Sequence, residues 1–223
     1  MDNTEIIAAQ LNIQRGQVKT VIELLNSGNT IPFIARYRKE KTGELDEEQI
    51  RQVSLLEQKL QKLDNRRQTI LKSINNQELL TPVLLQQIQA ANTLTELEDL
   101  YQPYKPKRRT RATIARKRGL QGLADLIIQQ SQPDRPLPAV YKTYLSDEVP
   151  NIEDALSGAR DIVSEQISDN PTVRKGIREK ANQWGILHCK KKQNGDDPKG
   201  VYKAYYEFSM RVNKLRPHQV LAI

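Results

Sequence analysis

The sequence predicts a mainly α fold: an elongated scaffold of many helices with a helix-turn-helix-like N-terminus, one long central helix and a small β-hairpin near the C-terminus. Apolar residues recur at helical spacing along most of the chain. Hydrophobic residues make up only 37% of the 223 residues, with one Trp and two Phe, so each helix is expected to bury a single stripe. β-Branched and aromatic residues gather only after Gly185.

The first stretch, TEIIAAQLNIQRGQVKTVIELLNSG, predicts two short helices joined by a turn between Asn12 and Gln14. Its apolar residues match the internal contacts of a helix-turn-helix, with Asn12 as a turn residue that tolerates a left-handed backbone. On that interpretation Arg15 and Lys19 lie on the exposed face of the second helix and are candidate DNA contacts. We favour the alternative that this is a three-helix unit without direct DNA readout.

A long central helix is predicted from Asp46 onward, after a shorter one that begins near Pro32. Asp46 and Gln49 have the spacing of a capping box. The apolar repeat that follows spans about 30 residues, or about 45 Å of helix, and only Arg67 interrupts it. Because the repeat is short and holds a charged position, we expect an intramolecular scaffold helix and not a coiled coil between chains. The repeat consists of Val53, Leu56, Leu60, Leu63, Ile70 and Ile74.

The second half of the chain predicts more helices and then a change to strands. PDRPLPAVY is predicted to be a surface loop because of its three prolines. ILHCKKK and VYKAYYEF, separated by QNGDDPKG, predict a β-hairpin. The apolar tail VNKLRPHQVLAI resembles a strand without a neighbour, so we expect the polypeptide to continue. The predicted helices are 82–91, 94–100, 112–130, 152–167 and 171–184.

These predictions divide the chain at the change from helix to strand. Residues 1–184 form the predicted helical region, and residues 185–223 form the hairpin and C-terminal segment. The helical region has three predicted parts, which are 1–45 (helix-turn-helix-like), 46–76 (long helix) and 77–184 (helical scaffold).

The net charge of +8 is concentrated in one segment. Residues 105–118 carry 8 Lys and Arg and no acid, whereas residues 1–104 carry 12 bases and 14 acids, and residues 119–223 carry 15 and 13. Such a local surplus attracts phosphates and raises association rates. The candidate nucleic-acid contacts are Lys105, Lys107, Arg108, Arg109, Arg111, Arg116, Lys117 and Arg118.

Two alternatives stay open for this segment. Tyr101 and Tyr104 are candidates for stacking on an unpaired base, although we favour packing of both rings in the core. The cations either contact phosphates or pair with acids of other domains. A lesser basic run, CKKKQN, lies in the predicted hairpin, where lysines commonly protect a sheet edge against pairing.

The sequence offers no candidate for catalysis, metal binding or membrane insertion. His188 and His218 are thirty positions apart and Cys189 is the single cysteine, so no zinc ligand set is present. No nucleophile motif or phosphate-binding glycine loop occurs. No apolar run approaches about 18 residues, and the N-terminus lacks the pattern of a signal peptide. We expect a cytoplasmic protein without enzymatic activity, metal or cofactor.

Three stretches, NTIPFIARYRKEKTGELD, LEDLYQPYKPKRRTRATIARKRGL and HQVLAI, resemble the N-terminal region of the bacterial Tex proteins, the transcription accessory family. The resemblance spans essentially the whole chain. It implies that a complete protein continues into a YqgF-like domain without catalytic residues, helix-hairpin-helix units and an OB-type RNA-binding domain. The family motif normally has Arg where this chain has Gln219, and it continues past Ile223 into an Arg-Gly pair.

The resemblance implies a transcription-associated factor that binds nucleic acid, led by the terminal OB domain and similar in core architecture to a eukaryotic elongation factor. We therefore expect a non-enzymatic region that provides scaffold and electrostatic contacts to RNA or DNA with low sequence specificity. The alternative is a protein-interaction scaffold that docks RNA polymerase or other Tex domains and contacts no nucleic acid.

Overall fold

The computed structural model describes residues 2–107, 109–130 and 135–223. Within these residues the fold is mainly α with one small antiparallel sheet, as predicted. The chain divides into two compact units, residues 1–98 and 99–223. The domain division predicted from the sequence, with its change at residue 185, stays a prediction.

The described part of the chain contains twelve α-helices and two strands. The helices are α1 (Asn3–Leu11), α2 (Arg15–Asn26), α3 (Ile31–Tyr37), α4 (Glu47–Asn75), α5 (Pro82–Ala90), α6 (Leu94–Tyr101), α7 (Arg111–Lys117), α8 (Gln121–Gln129), α9 (Leu137–Lys142), α10 (Ile152–Asp169), α11 (Pro171–Trp184) and α12 (Pro217–Ala222). The strands are β1 (Ile186–Lys190) and β2 (Glu207–Arg211).

The predicted helix pair at the N-terminus is confirmed. Asn12 ends α1 in the left-handed region, with φ of 53°, and Gly28 follows α2 with φ of 84°. The shared core of α1, α2, α3 and the start of α4 is closely packed, because its apolar side chains converge from all four helices. Its buried members are Ile7, Ala8, Val18, Val21, Ile34, Leu45, Ile50 and Val53.

Helix α4 begins where the sequence predicts, and its one charged position in the apolar repeat, Arg67, binds backbone carbonyls of a neighbouring segment. Asp46 accepts a hydrogen bond from the backbone N–H of Gln49, whose side chain accepts from the backbone N–H of Asp46. Arg67 is largely buried and donates to the carbonyl oxygens of Ile88 and Ala91, at 3.2 and 2.8 Å. These carbonyls lie at the end of α5, where a helix leaves acceptors without intrahelical partners.

The prediction of one helix over 112–130 is wrong. The chain forms α7 and α8 with a break between them, where Gly119 has φ of 80°. That left-handed backbone is unfavourable for other residues and interrupts the helix. The break lets Leu120, which is buried, join a core with α10. The buried members are Ala112, Ala115, Leu120, Leu123, Ala124, Val149, Ala155, Ala159 and Ile162.

The hairpin is confirmed with different limits. Strand β1 pairs with β2 in antiparallel register, with Cys189 opposite Phe208. The second strand begins only at Glu207, because the residues before it form a turn and a 3-10 helix at Lys203–Tyr205.

Two predictions about the remaining segments are wrong. The tail is not a strand, since it folds into a 3-10 helix at Val212–Lys214 and then α12, which Pro217 begins. Of the predicted proline-rich loop 133–141, residues 137–141 belong instead to α9, where Pro138 occupies the first turn, and residues 133 and 134 lie outside the described residues. No helix in the described ranges combines the length and apolar character needed to span a bilayer.

Candidate nucleic-acid interface

The basic segment lies in the second unit and runs from the connection after a 3-10 helix at Gln102–Tyr104 through α7. Thr110 caps α7, since its hydroxyl accepts a hydrogen bond from the backbone N–H of Thr113 at 3.0 Å. The cap fixes the direction in which the chain enters the helix. The predicted contact Arg108 lies outside the described residues.

Two of the predicted cations face inward. The Lys107 ammonium lies 3.3 Å from Glu165 and also contacts Asp169. Arg116 donates to the other oxygen of Glu165 at 2.6 Å. The two carboxylate side chains are only 14% and 13% exposed, so Lys107 and Arg116 serve mainly to neutralise buried charge.

Glu165 is the centre of this network. Burial alone would raise its pKa, but hydrogen bonds from Arg116, Thr110 and Lys107 outweigh burial, and the pKa lies below its ordinary value. The Thr110 hydroxyl donates to Glu165 at 3.0 Å. The ionised carboxylate therefore fastens the basic segment to α10 at neutral pH.

Two further cations are exposed and loosely paired. Arg111 is 87% exposed in its side chain and lies 3.7 Å from Asp161. Arg118 lies 3.9 Å from Glu148, and both side chains face solvent. Contacts of this length between exposed groups are weak and screened by salt, so both cations remain available to a phosphate.

Three predicted cations have no acidic partner within the described part of the chain. They are Lys105, Arg109 and Lys117, and all three are exposed. Arg109 and Lys117 line an open cleft of about 850 Å³ whose only acid among its described lining residues is Glu148. The other lining residues are Lys107, Thr113, Ile114 and Arg118. The cleft therefore presents a positive surface.

Comparison with known proteins shows which family the chain resembles on either side of the basic segment. Residues 1–75 match the Tex-like protein N-terminal domain, and residues 132–223 match the Tex central region-like family. The chain belongs to the Tex family. It is 44% identical over 220 residues to the uncharacterized protein YdcI of Bacillus subtilis, covering 97% of the chain and 30% of that relative.

Other Tex relatives extend the comparison. The chain is 39% identical over its whole length to the transcriptional accessory protein Tex of Neisseria gonorrhoeae, of which it covers 29%. It is 25% identical to human S1 RNA-binding domain-containing protein 1, of which it covers 23%. The chain thus spans less than a third of the length of these relatives.

The two tyrosines of the Tex-like basic motif differ in exposure. Tyr101 is buried, with 7% of its surface exposed, so its ring is not presented to an unpaired base. Tyr104 is half-buried at the end of the 3-10 helix. The structure therefore does not favour Tyr101 as a stacking residue.

The helix-turn-helix candidates of this Tex-family chain lie on α2. Arg15 is bound to Asp2 and Glu5, at 2.8 Å each, across the gap to α1. Lys19 is exposed and lies 3.9 Å from Glu23. Arg15 is thus engaged within the protein, whereas Lys19 remains open to solvent.

The sequence prediction missed the acidic partners on α10. Asp161, Glu165 and Asp169 are spaced four residues apart, which puts them on one face of a helix. That spacing was a readable signal for an acidic stripe that receives the basic segment. Among the described residues, no group of three or more His, Cys, Asp or Glu side chains is arranged to hold a metal ion.

Proposed function

We propose that this chain is a non-enzymatic, nucleic-acid-contacting region of a Tex-type transcription accessory protein acting in the cytoplasm. The observation that carries the proposal is the cleft beside α7, where Arg109 and Lys117 have no acidic partner among the described residues. Lys105 adds a third unpaired cation from the same segment.

The ion pairs of Lys107 and Arg116 with α10 support this proposal, because they separate cations that stabilise the fold from cations that face solvent. Lys107 and Arg116 neutralise the carboxylates of α10, and this contact holds the rest of the segment in a defined position. A positioned group of cations loses less side-chain freedom on binding than a mobile one. Phosphate contacts of this kind are insensitive to base sequence, so the proposed ligand is RNA or DNA with low specificity.

Salt dependence tests the proposal quantitatively. The described outward cations are Lys105, Arg109, Arg111, Lys117 and Arg118. If all five contact phosphates, log Kd plotted against log salt changes with a slope of magnitude about 3.5 for a single strand and about 4.5 for a duplex. The triple variant Lys105→Gln, Arg109→Gln, Lys117→Gln should lower that magnitude by about 2 to 3.

The matched control removes the same charge elsewhere. Lys59, Lys62 and Lys72 are exposed on α4 in the other unit, and their triple Gln variant should bind nucleic acid with the wild-type slope. Equal losses in both triple variants would show that net charge alone governs binding and would contradict a defined interface.

A protein-docking role is the second candidate, because large apolar side chains are exposed in the second unit. Ile177, Trp184 and Leu221 are the examples, and exposed apolar groups often mark protein contacts. In that case the double variant Ile177→Ser, Leu221→Ser loses association with RNA polymerase and keeps the nucleic-acid affinity of the wild type. Pull-down of polymerase and anisotropy on the same variant separate the two functions.

A further inference from the structure

The β1–β2 hairpin carries a second surplus of positive charge. The hairpin itself, residues 186–211, holds 6 Lys and Arg against 3 Asp and Glu, and two further cations follow β2, so that residues 186–216 carry a net charge of +5. All eight cations are exposed. They are Lys190, Lys191, Lys192, Lys199, Lys203, Arg211, Lys214 and Arg216.

Most of this surplus is not compensated within the described ranges, and only the charge of Lys191 acts on a described carboxylate of the hairpin, that of Asp197. None of the eight cations forms an ion pair with a described acid, whereas Lys107 and Arg116 of the first basic segment bind buried carboxylates. Lysines that protect a sheet edge lie on the edge strands themselves. Lys199 and Lys203 lie in the connection instead, where no edge needs protection.

The connection between the strands is held by Asp197. Its carboxylate accepts hydrogen bonds from the backbone N–H groups of Val201 and Tyr202, at 3.0 and 2.9 Å, and from the hydroxyl of Tyr206 at 2.8 Å. Lys191 lies over the Tyr206 ring, 4.5 Å from its centroid. The backbone hydrogen bond from Tyr202 is the main reason that the pKa of Asp197 lies below its ordinary value.

The connection that Asp197 holds carries one exposed aromatic ring as well as lysines. Tyr202 is 52% exposed, and its backbone is fixed by Asp197. Lys203 is its neighbour in sequence, and Lys199 lies in the preceding turn, which the hydrogen bond from Gly200 N–H to the Asp197 carbonyl closes. An exposed ring in the same connection as exposed lysines is the combination of residue types that binds single strands, in which lysines contact phosphates and the ring stacks on a base.

We propose that the β1–β2 hairpin is a second nucleic-acid contact, specific for single strands, in which Lys192, Lys199 and Lys203 bind phosphates and Tyr202 stacks on an unpaired base. The proposal is independent of the cleft beside α7, since it depends on different residues and requires an unpaired base.

The test uses the full chain and three fluorescein-labelled probes of about 12 nucleotides: oligo(U) RNA, oligo(dT) and a duplex. Anisotropy is measured over a salt series. The triple variant Lys192→Gln, Lys199→Gln, Lys203→Gln should lower the slope magnitude for single strands by about 2. Lys191 is left intact because it packs on Tyr206.

Tyr202 variants test the stacking step. Tyr202→Ala should weaken binding of both single strands by about tenfold without changing the salt slope, while duplex binding is unaffected. Tyr202→Phe keeps the ring and should bind as the wild type does. Tyr37→Ala removes a tyrosine that is 60% exposed in the other unit and serves as the matched control with unchanged affinity.

Three outcomes would overturn the hairpin proposal. The first is an unchanged salt slope for single strands in the Lys192, Lys199, Lys203 variant. The second is an unchanged single-strand affinity in Tyr202→Ala. The third is that either variant loses a protein partner while its nucleic-acid binding stays intact. The cleft proposal is judged separately by its own triple variant. If the Lys105, Arg109, Lys117 variant loses nucleic-acid binding while the hairpin variants bind as the wild type does, the cleft proposal is supported and the hairpin proposal is refuted.

Discussion

Arg116 donates through Nη1 to Oε2 of Glu165 at 2.6 Å, across 49 residues of sequence. This contact joins α7 to α10, and Lys107 reaches the same carboxylate from the preceding connection. The basic segment is thus divided into cations that hold the fold together and cations that face solvent. The predictions below follow from that division and from the local geometry around it.

Glu165→Gln should destabilise the second unit. The change leaves Lys107 and Arg116 with a neutral partner, and hydrogen bonds to charged groups contribute about 2 kcal/mol. We expect the free energy of unfolding to fall by about that amount, measured by urea denaturation. Glu179→Gln is the control, because Glu179 is exposed on α11. The free energy of unfolding of this variant should equal that of the wild type. Equal stability of both variants would contradict the role of Glu165.

The contribution of Glu165 should also depend on pH. Because its pKa is lower in the folded chain than in the unfolded chain, the unfolded state takes up the proton first as the pH falls. The stabilisation is therefore complete above the ordinary glutamate pKa, about 4.3, and is lost as pH falls through the lower folded-state pKa. The stability difference between the wild type and Glu165→Gln should narrow in acid, as measured by urea denaturation between pH 7 and pH 3, roughly the range over which carboxylates titrate. A constant difference would refute the assignment.

Gly119→Ala and Gly176→Ala should have opposite effects. A methyl group meets no atom within 4 Å at either position, so only the backbone distinguishes them. Gly119 has φ of 80°, and alanine there should cost about 1 kcal/mol. Gly176 lies within α11, and alanine there should add about 0.5 to 1 kcal/mol of stability. Denaturation of the two variants in parallel checks the signs.

Arg67→Leu should destabilise the first unit although it completes the apolar repeat of α4. The variant removes the donors to the carbonyls of Ile88 and Ala91, and unsatisfied buried acceptors cost about 1 to 3 kcal/mol each. A fall in the unfolding midpoint is expected, with Lys62→Leu on the exposed side as the comparison. A more stable or newly dimeric variant would instead indicate a coiled-coil seam.

Arg15→Ala with Lys19→Ala should leave DNA site preference unchanged. Arg15 is occupied by Asp2 and Glu5, and the neighbouring Gln17 donates to the carbonyl of Gly43 at 2.8 Å. In a recognition helix, the side chains near the N-terminus must be available to contact the edges of the bases. Competition between unrelated duplexes measures the preference, and relaxed discrimination in the variant would restore the helix-turn-helix interpretation.

Most helix starts could be predicted because their signals are local. Asp46 accepts from an N–H three residues away, and Asn151 and Asn170 act over the same range. The missed break at Gly119 had a weaker signal, since glycine occurs within helices as well as after them. The left-handed backbone at Gly119 precedes Leu120, which packs with residues of α10, and that packing depends on residues far away in sequence.

The sequence by itself determined where the positive charge lies and where most of the helices begin, because both depend on residue identity and short-range spacing. Only the tertiary structure decided which cations remain open to a ligand. Ion pairing needs approach within about 4 Å. Folding brings Lys107 to Asp169 across 62 residues and leaves Arg109, Lys199 and Lys203 without an ion pair among the described residues.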